Sequence, residues 1–275
     1  MNYYQLKCPK HPEQEQNEIL IAHLAEAGFE SFEETDTHIL AYIGEKNFSE
    51  ELFNNIPFCQ KRQHSVTFIP EQNWNAVWES NYPPVLIANR CYIRAPFHKE
   101  KPEIEFNVLV KPQMAFGTAH HETTAQMIEL MLSYNFTNKT VLDMGCGTGV
   151  LAILSAQKGA RHIDAVDIDT WSYNNTEENR RANHISNITP ILSDASFLQN
   201  KTATYDVILA NINKNILLQD MPAYARALKT GGTIFFSGFY QNDLPDIKTK
   251  AAGLRLQYQK HLSKNDWVAA VFTKK

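Results

Sequence analysis

Residues 141–150 read Val141-Leu142-Asp143-Met144-Gly145-Cys146-Gly147-Thr148-Gly149-Val150. An apolar strand delivers an acid, glycines alternate, and a helix follows from about Thr148. Glycines let the backbone take left-handed angles and approach a ligand without Cβ interference. The exposed N–H groups of the new helix favour a carboxylate or a phosphate. The spacing excludes two common nucleotide loops. In G-x-G-x-x-G the third glycine falls one residue later, where Val150 stands, and no Gly-Lys-Ser/Thr follows as a Walker loop requires.

The next strand-like run ends in Ala165-Val166-Asp167-Ile168-Asp169, with Asp167 22 residues beyond Gly145. An acid there accepts the two hydroxyls of a nucleoside ribose, and Ile168 then covers an adenine face. A third strand, Ile188 to Leu192, leads to Ser193-Asp194-Ala195. The Asp194 carboxylate is placed to accept a hydrogen bond from an exocyclic adenine amine.

Around these motifs, strands and helices alternate. Val141-Leu142 precedes a helix, Ile163 to Val166 precedes one near 171–183, Val207 to Leu209 precedes one near 216–228, and Thr233 to Phe236 follows. This rhythm predicts an α/β fold with a mainly parallel sheet and helices on both faces. Ligands then bind beyond the carboxyl ends of the strands. Strand-like runs at 85–88, 92–95 and 104–110 lead into the loop 111–124 and a helix with Ala125, Ile128, Met131 and Leu132 on one face.

The first 70 residues have a different pattern. Tyr3 to Cys8 reads as a strand, Glu15 to Ala27 as a helix with Ile19, Leu20, His23, Leu24 and Ala27 on one face, and Gly28 as its stop. Two strands (29–33 and 38–43), a short helix (48–56) and a strand (64–69) complete a β-α-β-β-α-β, ferredoxin-like α+β unit. Residues 71–84, with Trp74 and Trp78 on one face and Pro83-Pro84 at the end, form a linker helix. The expected division is therefore 1–70, 71–84 and 85–275.

Composition narrows the function classes. Of 275 residues, 26 are Lys or Arg and 30 are Asp or Glu, a net charge of −4 without a basic stripe, so direct nucleic-acid binding is not expected. The four cysteines have no CxxC spacing, and His120-His121-Glu122 lacks the second His of a metalloprotease motif, so no metal site is expected. No run approaches a membrane span, and the N-terminus is not a signal peptide. A cytoplasmic protein with reduced thiols is expected.

The glycine loop with Asp143, the acid Asp167 and the acid Asp194 together resemble the class I S-adenosylmethionine-dependent methyltransferases. The run Phe116-Gly117-Thr118-Ala119-His120-His121-Glu122-Thr123-Thr124 is more specific. With Gln72-Asn73-Trp74, Asp167-Ile168-Asp169 followed by Asn179 and Asn183, Ala210-Asn211-Ile212 and Ser237-Gly238, it resembles the bacterial methyltransferases of large-subunit ribosomal protein L11 over the whole length. The resemblance implies a Rossmann-like methyltransferase domain behind a small ferredoxin-like substrate-recognition domain. It implies S-adenosyl-L-methionine as cofactor, held by Thr124, Gly145, Asp167 and Asn211, with Phe116, Gly117, Thr118, Gly147, Ile168 and Asp194 close by. The implied reaction is trimethylation of the N-terminal α-amine and lysine side chains of the ribosomal protein, captured through the N-terminal domain. Ala119 stands in place of a usual Gly, Thr170 in place of a usual Pro, and Asn213-Lys214-Asn215 in place of a more apolar segment.

Two residues are candidates for the chemistry. The Asn211 side-chain carbonyl accepts an amine N–H and aims the lone pair. His121 either takes a proton or fixes the loop from a helix start. Enzymes of this class that methylate planar bases place an aromatic ring after the Asn, in Asn-Pro-Pro-Tyr; Asn211-Ile212-Asn213-Lys214 has none, which favours an aliphatic amine. The competing readings are an RNA or DNA base methyltransferase, a small-molecule methyltransferase and a non-catalytic cofactor-binding module.

Overall fold

The computed structural model describes residues 2–49, 51–52, 64–70, 82–111 and 117–275. The expected helix at 48–56 falls largely outside these residues, as do Trp74 and Trp78 of the linker and Phe116. The chain divides into two compact units, Met1–Asn81 and Tyr82–Lys275.

In the first unit, β1 (Tyr3–Pro9), α1 (Gln14–Glu26), β2 (Ser31–Glu34), β3 (His38–Gly44) and β4 (Ser65–Ile69) build an antiparallel sheet in the order β2-β3-β1-β4. Leu6, Cys8, Leu20, Leu24, Phe29, Ile39, Ala41 and Ile43 form its core. The buried face of α1 is Asn17, Leu20 and Leu24, while Ile19 is 38% exposed. The helix is thus rotated from the apolar face read in the sequence. The cause is polar: Asn17 Oδ1 accepts from the His11 N–H (2.7 Å) and Asn17 Nδ2 donates to the His11 carbonyl (2.9 Å), which satisfies a buried amide at the helix start.

The second unit opens with a small sheet, β5 (Val85–Ile87), β6 (Cys91–Arg94) and β7 (Phe106–Leu109), followed by α2 (Glu122–Leu132). Then come β8 (Thr140–Met144), α3 (Val150–Gln157), β9 (His162–Asp167), α4 (Thr170–Ala182), β10 (Ile188–Leu192), β11 (Tyr205–Asn211), α5 (Lys214–Ala227) and β12 (Leu228–Tyr240). The chain closes with α6 (Leu244–Gly253), β13 (Leu256–Lys264) and β14 (Trp267–Lys274). The seven-stranded sheet runs β10-β9-β8-β11-β12-β14-β13. Neighbours from β10 to β12 are parallel, and β14 and β13 add antiparallel.

Two apolar layers cover the sheet. Met127, Ile128, Met131 and Ile153 belong to one, and Leu217, Met221, Ile247 and Ala251 to the other. The strand order reverses beside β8: the chain moves outward to β9 and β10, then crosses back to β11 on the other side. Such a switch point opens a crevice at the carboxyl ends of the two central strands. The glycine loop leaves β8 there, and Asn211 ends β11. No helix among the described residues is long and apolar enough to cross a membrane.

Candidate active site

The loop after β8 is fixed by its neighbours. The N–H groups of Gly145 and Cys146 both donate to the Val166 carbonyl (2.8 and 3.1 Å). Gly145 has φ +70°, and a Cβ there would meet Ile212 Cγ2 at 2.4 Å; the residue is glycine because the two strand-end loops touch. Thr148 Oγ1 donates to the Gly117 carbonyl at 2.7 Å, fastening the upstream loop to the glycine turn.

Asp143 lies fully buried under this turn and accepts the Ala152 N–H at 3.0 Å. Burial pushes its carboxyl up to about 7, the Ala152 bond opposes the rise, and the charge of Asp167 adds to it. A carboxyl whose folded value exceeds its unfolded value of about 3.9 stabilises the fold while protonated, and that contribution is lost as pH rises towards 7. Thermal unfolding between pH 4 and 8 is therefore expected to show a smaller loss of stability with rising pH in Asp143→Asn than in the parent. Identical pH profiles would remove Asp143 as the source.

Asp167 ends β9 with both oxygens in use. Oδ2 accepts from the Gly147 N–H (2.9 Å) and Oδ1 from the Asp169 N–H (3.0 Å). A carboxylate has about four acceptor sites, so capacity for two hydroxyls remains. Ile168 follows, 75% exposed at the rim. Asp169 caps α4, accepting from the Ser172 N–H at 3.1 Å, and Thr170 begins the helix without the proline favoured at such a position. Asp194 accepts the Ser196 N–H at 2.9 Å, and the Ser196 hydrogen bonds hold its carboxyl below the usual range, so it is an ionised acceptor at neutral pH.

The opposite wall centres on Asn211. Its Nδ2 donates to Thr124 Oγ1 at 3.1 Å, and its buried Oδ1 has no hydrogen-bond partner among the described residues. An orphaned buried acceptor costs about 1–3 kcal/mol, which is a reason to look for a ligand donor. Gly238 (φ +93°) sits against the next residue: a Cβ on it would lie 2.2 Å from the Ile212 carbonyl oxygen. Asn213 caps α5, accepting from the Ile216 N–H at 3.1 Å, and Lys214 bridges Asp243 and Asp246 at 2.7 Å each.

His121 is the N-cap of α2. Its Nδ1 accepts the Thr123 N–H at 3.3 Å and lies 2.8 Å from Thr123 Oγ1. His121 Nδ1 is thus the capping acceptor at the start of α2. Ala119, two residues earlier, is buried with φ +65°. The turn keeps the left-handed angle a glycine takes there, at a cost of about 1–2 kcal/mol for a residue with a Cβ. Ala119→Gly is expected to raise the melting temperature by a few degrees, since relief of about 1 kcal/mol shifts a domain of this size by about 2–4 °C; a lower melting temperature would contradict this.

Together these groups border a cavity of about 510 Å³ at the switch point, within the usual range for a small-molecule site. Of the residues expected there, His121, Gly145, Gly147, Asp167, Ile168, Asp194 and Asn211 line it. Thr124, Gly117 and Thr118 do not border it; Thr124 is joined to it through its bond from Asn211, and Gly117 bonds Thr148. Trp267 and Tyr224 line it without having been anticipated. The signal for Trp267 was present: Asn265-Asp266, with φ +49° and +64°, is a two-residue hairpin turn of the asparagine-aspartate type. Two carboxylates and an apolar flap fit a ligand with ribose hydroxyls and a flat base carrying an amine, and the orphaned amide carbonyl fits an amine N–H.

The model of the family described as ribosomal protein L11 methyltransferase (PrmA) matches residues 10–275. The chain belongs to this family. A relative from Phocaeicola vulgatus, named ribosomal protein L11 methyltransferase, is 44% identical over the full length of both chains. One from Porphyromonas gingivalis with the same name is 43% identical, covering 93% of this chain and 90% of the relative. The crystal structure of ribosomal protein L11 methylase from Lactobacillus delbrueckii subsp. bulgaricus superimposes with a TM-score of 0.64 at 28% identity, covering 70% of this chain and all of that one. As a member of the ribosomal protein L11 methyltransferase family, the chain is an enzyme with a class I methyltransferase fold, and its cofactor is S-adenosyl-L-methionine.

Proposed function

We propose that this enzyme methylates amines of large-subunit ribosomal protein L11, its N-terminal α-amine and lysine side chains, to the trimethyl state. The observation that carries the reading is the buried Asn211 Oδ1 beside the glycine loop, unpartnered among the described residues. It is an acceptor at the end of the cavity away from Asp167 and Asp194, suited to an amine N–H.

In this reading Asp167 accepts the ribose hydroxyls, Asp194 the adenine amine, and Ile168 covers the adenine. Thr124 holds the Asn211 amide so that its carbonyl aims the amine lone pair. S-adenosylmethionine, when bound, supplies a methyl carbon on a sulfonium, which needs no further activation. Positioning two reactants is worth several orders of magnitude on its own. A lysine amine has a reference value of about 10.4, and the apolar walls at Met144 and Ile212 disfavour its ammonium form by desolvation. No strong general base is required, which agrees with His121 serving as a cap.

Residues 1–81 serve as the capture domain. They hold thirteen Asp and Glu against five Lys and Arg, and Glu13, Glu15, Glu18 and Glu26 of α1 and its cap are exposed. A strongly acidic small unit and a larger unit of opposite balance suit a basic protein substrate, and in this reading the enzyme works in the cytoplasm, where the ribosome is.

The test is labelled S-adenosylmethionine incubated with ribosomal proteins from cells lacking the enzyme. Label in L11, with intact mass rising in whole methyl steps and KM for L11 rising with ionic strength, is the expected result. Label confined to ribosomal RNA would replace this reading with base methylation.

A further inference from the structure

Trp267 opens β14 directly after the Asn265-Asp266 turn and borders the cavity together with Asn211, Gly238 and His121. Its place is held by polar ties. Its carbonyl accepts from Nε2 of the buried Gln126 (3.1 Å), the next carbonyl, of Val268, accepts from Ser237 Oγ (2.7 Å), and Asn265 Nδ2 donates to Glu122 Oε1 (2.8 Å). The indole is flanked by two rings, His121 edge-on at 4.8 Å and Tyr240 at 4.1 Å and 33°. An aromatic wall therefore stands at the same end of the cavity as the orphaned Asn211 carbonyl, away from the ribose and adenine acceptors.

The chemistry of repeated transfer gives this wall a task that Asn211 cannot perform. In each transfer the amine lone pair forms an N–C bond, the methyl C–S bond breaks with its electron pair going to sulfur, and the ammonium product loses one proton to solvent before the next transfer. Each step removes an N–H. Asn211 Oδ1 holds an amine only through an N–H, so its grip weakens as methylation proceeds. The third product is a fixed cation without any N–H. Methylated ammonium ions are weakly hydrated and are held by the faces of aromatic rings.

We propose that Trp267, supported by Tyr240, determines how far methylation proceeds, by retaining the mono- and dimethylated ammonium in the pocket between transfers, as the N–H groups that the free amine offers to Asn211 fall from two to one to none. This rests on the amine-methylation reading above.

The test compares the full-length enzyme with Trp267→Phe, which keeps a π face, and Trp267→Leu, which keeps only apolar bulk. With unmodified L11 and excess cofactor, intact-mass analysis is expected to show trimethylated product for the parent and Trp267→Phe. For Trp267→Leu the mono- and dimethylated forms accumulate and the trimethyl form falls about tenfold, the scale of a desolvated cation–π contact. A Trp267→Leu distribution equal to the parent's, or a Trp267→Phe distribution equal to that of Trp267→Leu, overturns the inference. A second readout does not depend on the substrate: tetramethylammonium chloride titrated calorimetrically should bind Trp267→Leu about tenfold more weakly than the parent, and equal affinity overturns the inference. If the parent leaves L11 unmodified, the substrate assignment fails while the tetramethylammonium titration still decides the role of the wall.

Discussion

Asp167→Ala is expected to weaken S-adenosylmethionine binding by about 10²- to 10³-fold, because a hydrogen bond to a charged group contributes about 1.5–3 kcal/mol and the ribose presents two hydroxyls. The loss has a second source. The Asp167 carboxylate also accepts the N–H groups of Gly147 and Asp169, so its removal releases the glycine turn that lines the cofactor cavity. Asp167→Asn separates the two contributions. A carboxamide oxygen accepts one backbone N–H, but its NH₂ opposes the other, and an intermediate loss is expected. Isothermal titration of the cofactor measures all three proteins. An affinity for Asp167→Ala within about threefold of the parent, far below the cost of two charged hydrogen bonds, rejects the ribose assignment.

Asn211→Ala should act on a different quantity. The side chain contributes an amide donor to Thr124 and a carbonyl that faces no partner among the described residues. Removing the carbonyl leaves the amine unoriented, and a misplacement of about 1 Å lowers turnover about 10²-fold. The expected result is a fall of that size in single-turnover methyl transfer, with cofactor affinity reduced by no more than about threefold. Equal losses in both measurements would make Asn211 a cofactor ligand alone and would leave the amine without an identified guide. Asn211→Gln serves as the companion variant, since it retains the functional group but displaces it by one methylene.

Much of the catalytic unit was legible in the sequence because its information is local. The glycine turn, the acids closing β9 and β10, and Asn211 all lie at the ends of apolar runs, so strand order and strand direction bring them together without reference to distant packing. The C-terminal hairpin was not legible in the same way. β13 alternates weakly and β14 is a run of small and apolar residues buried on both faces, so neither has a period that separates strand from helix. Trp267 enters the site through pairing of β14 with β12, a contact between distant parts of the chain. The rotation of α1 was also concealed, because the residue that sets it, Asn17, is polar and gains its buried place by clasping the His11 backbone. Ala119 illustrates the converse: its unusual position was evident from the motif, but only the backbone angle explains why glycine suits that turn.

The double duty of Asp167 has a practical consequence for anyone redesigning this enzyme to accept synthetic methyl donors. With the ribose on Asp167 as proposed, bulk added to the sugar would collide with a carboxylate that cannot be trimmed without loosening the turn. The base end in that reading is more permissive, since Ile168 and Leu192 are exposed and Asp194 is anchored to its own short turn. Analogues enlarged on the purine, paired with smaller side chains at 168 and 192, are the rational starting point for an orthogonal donor.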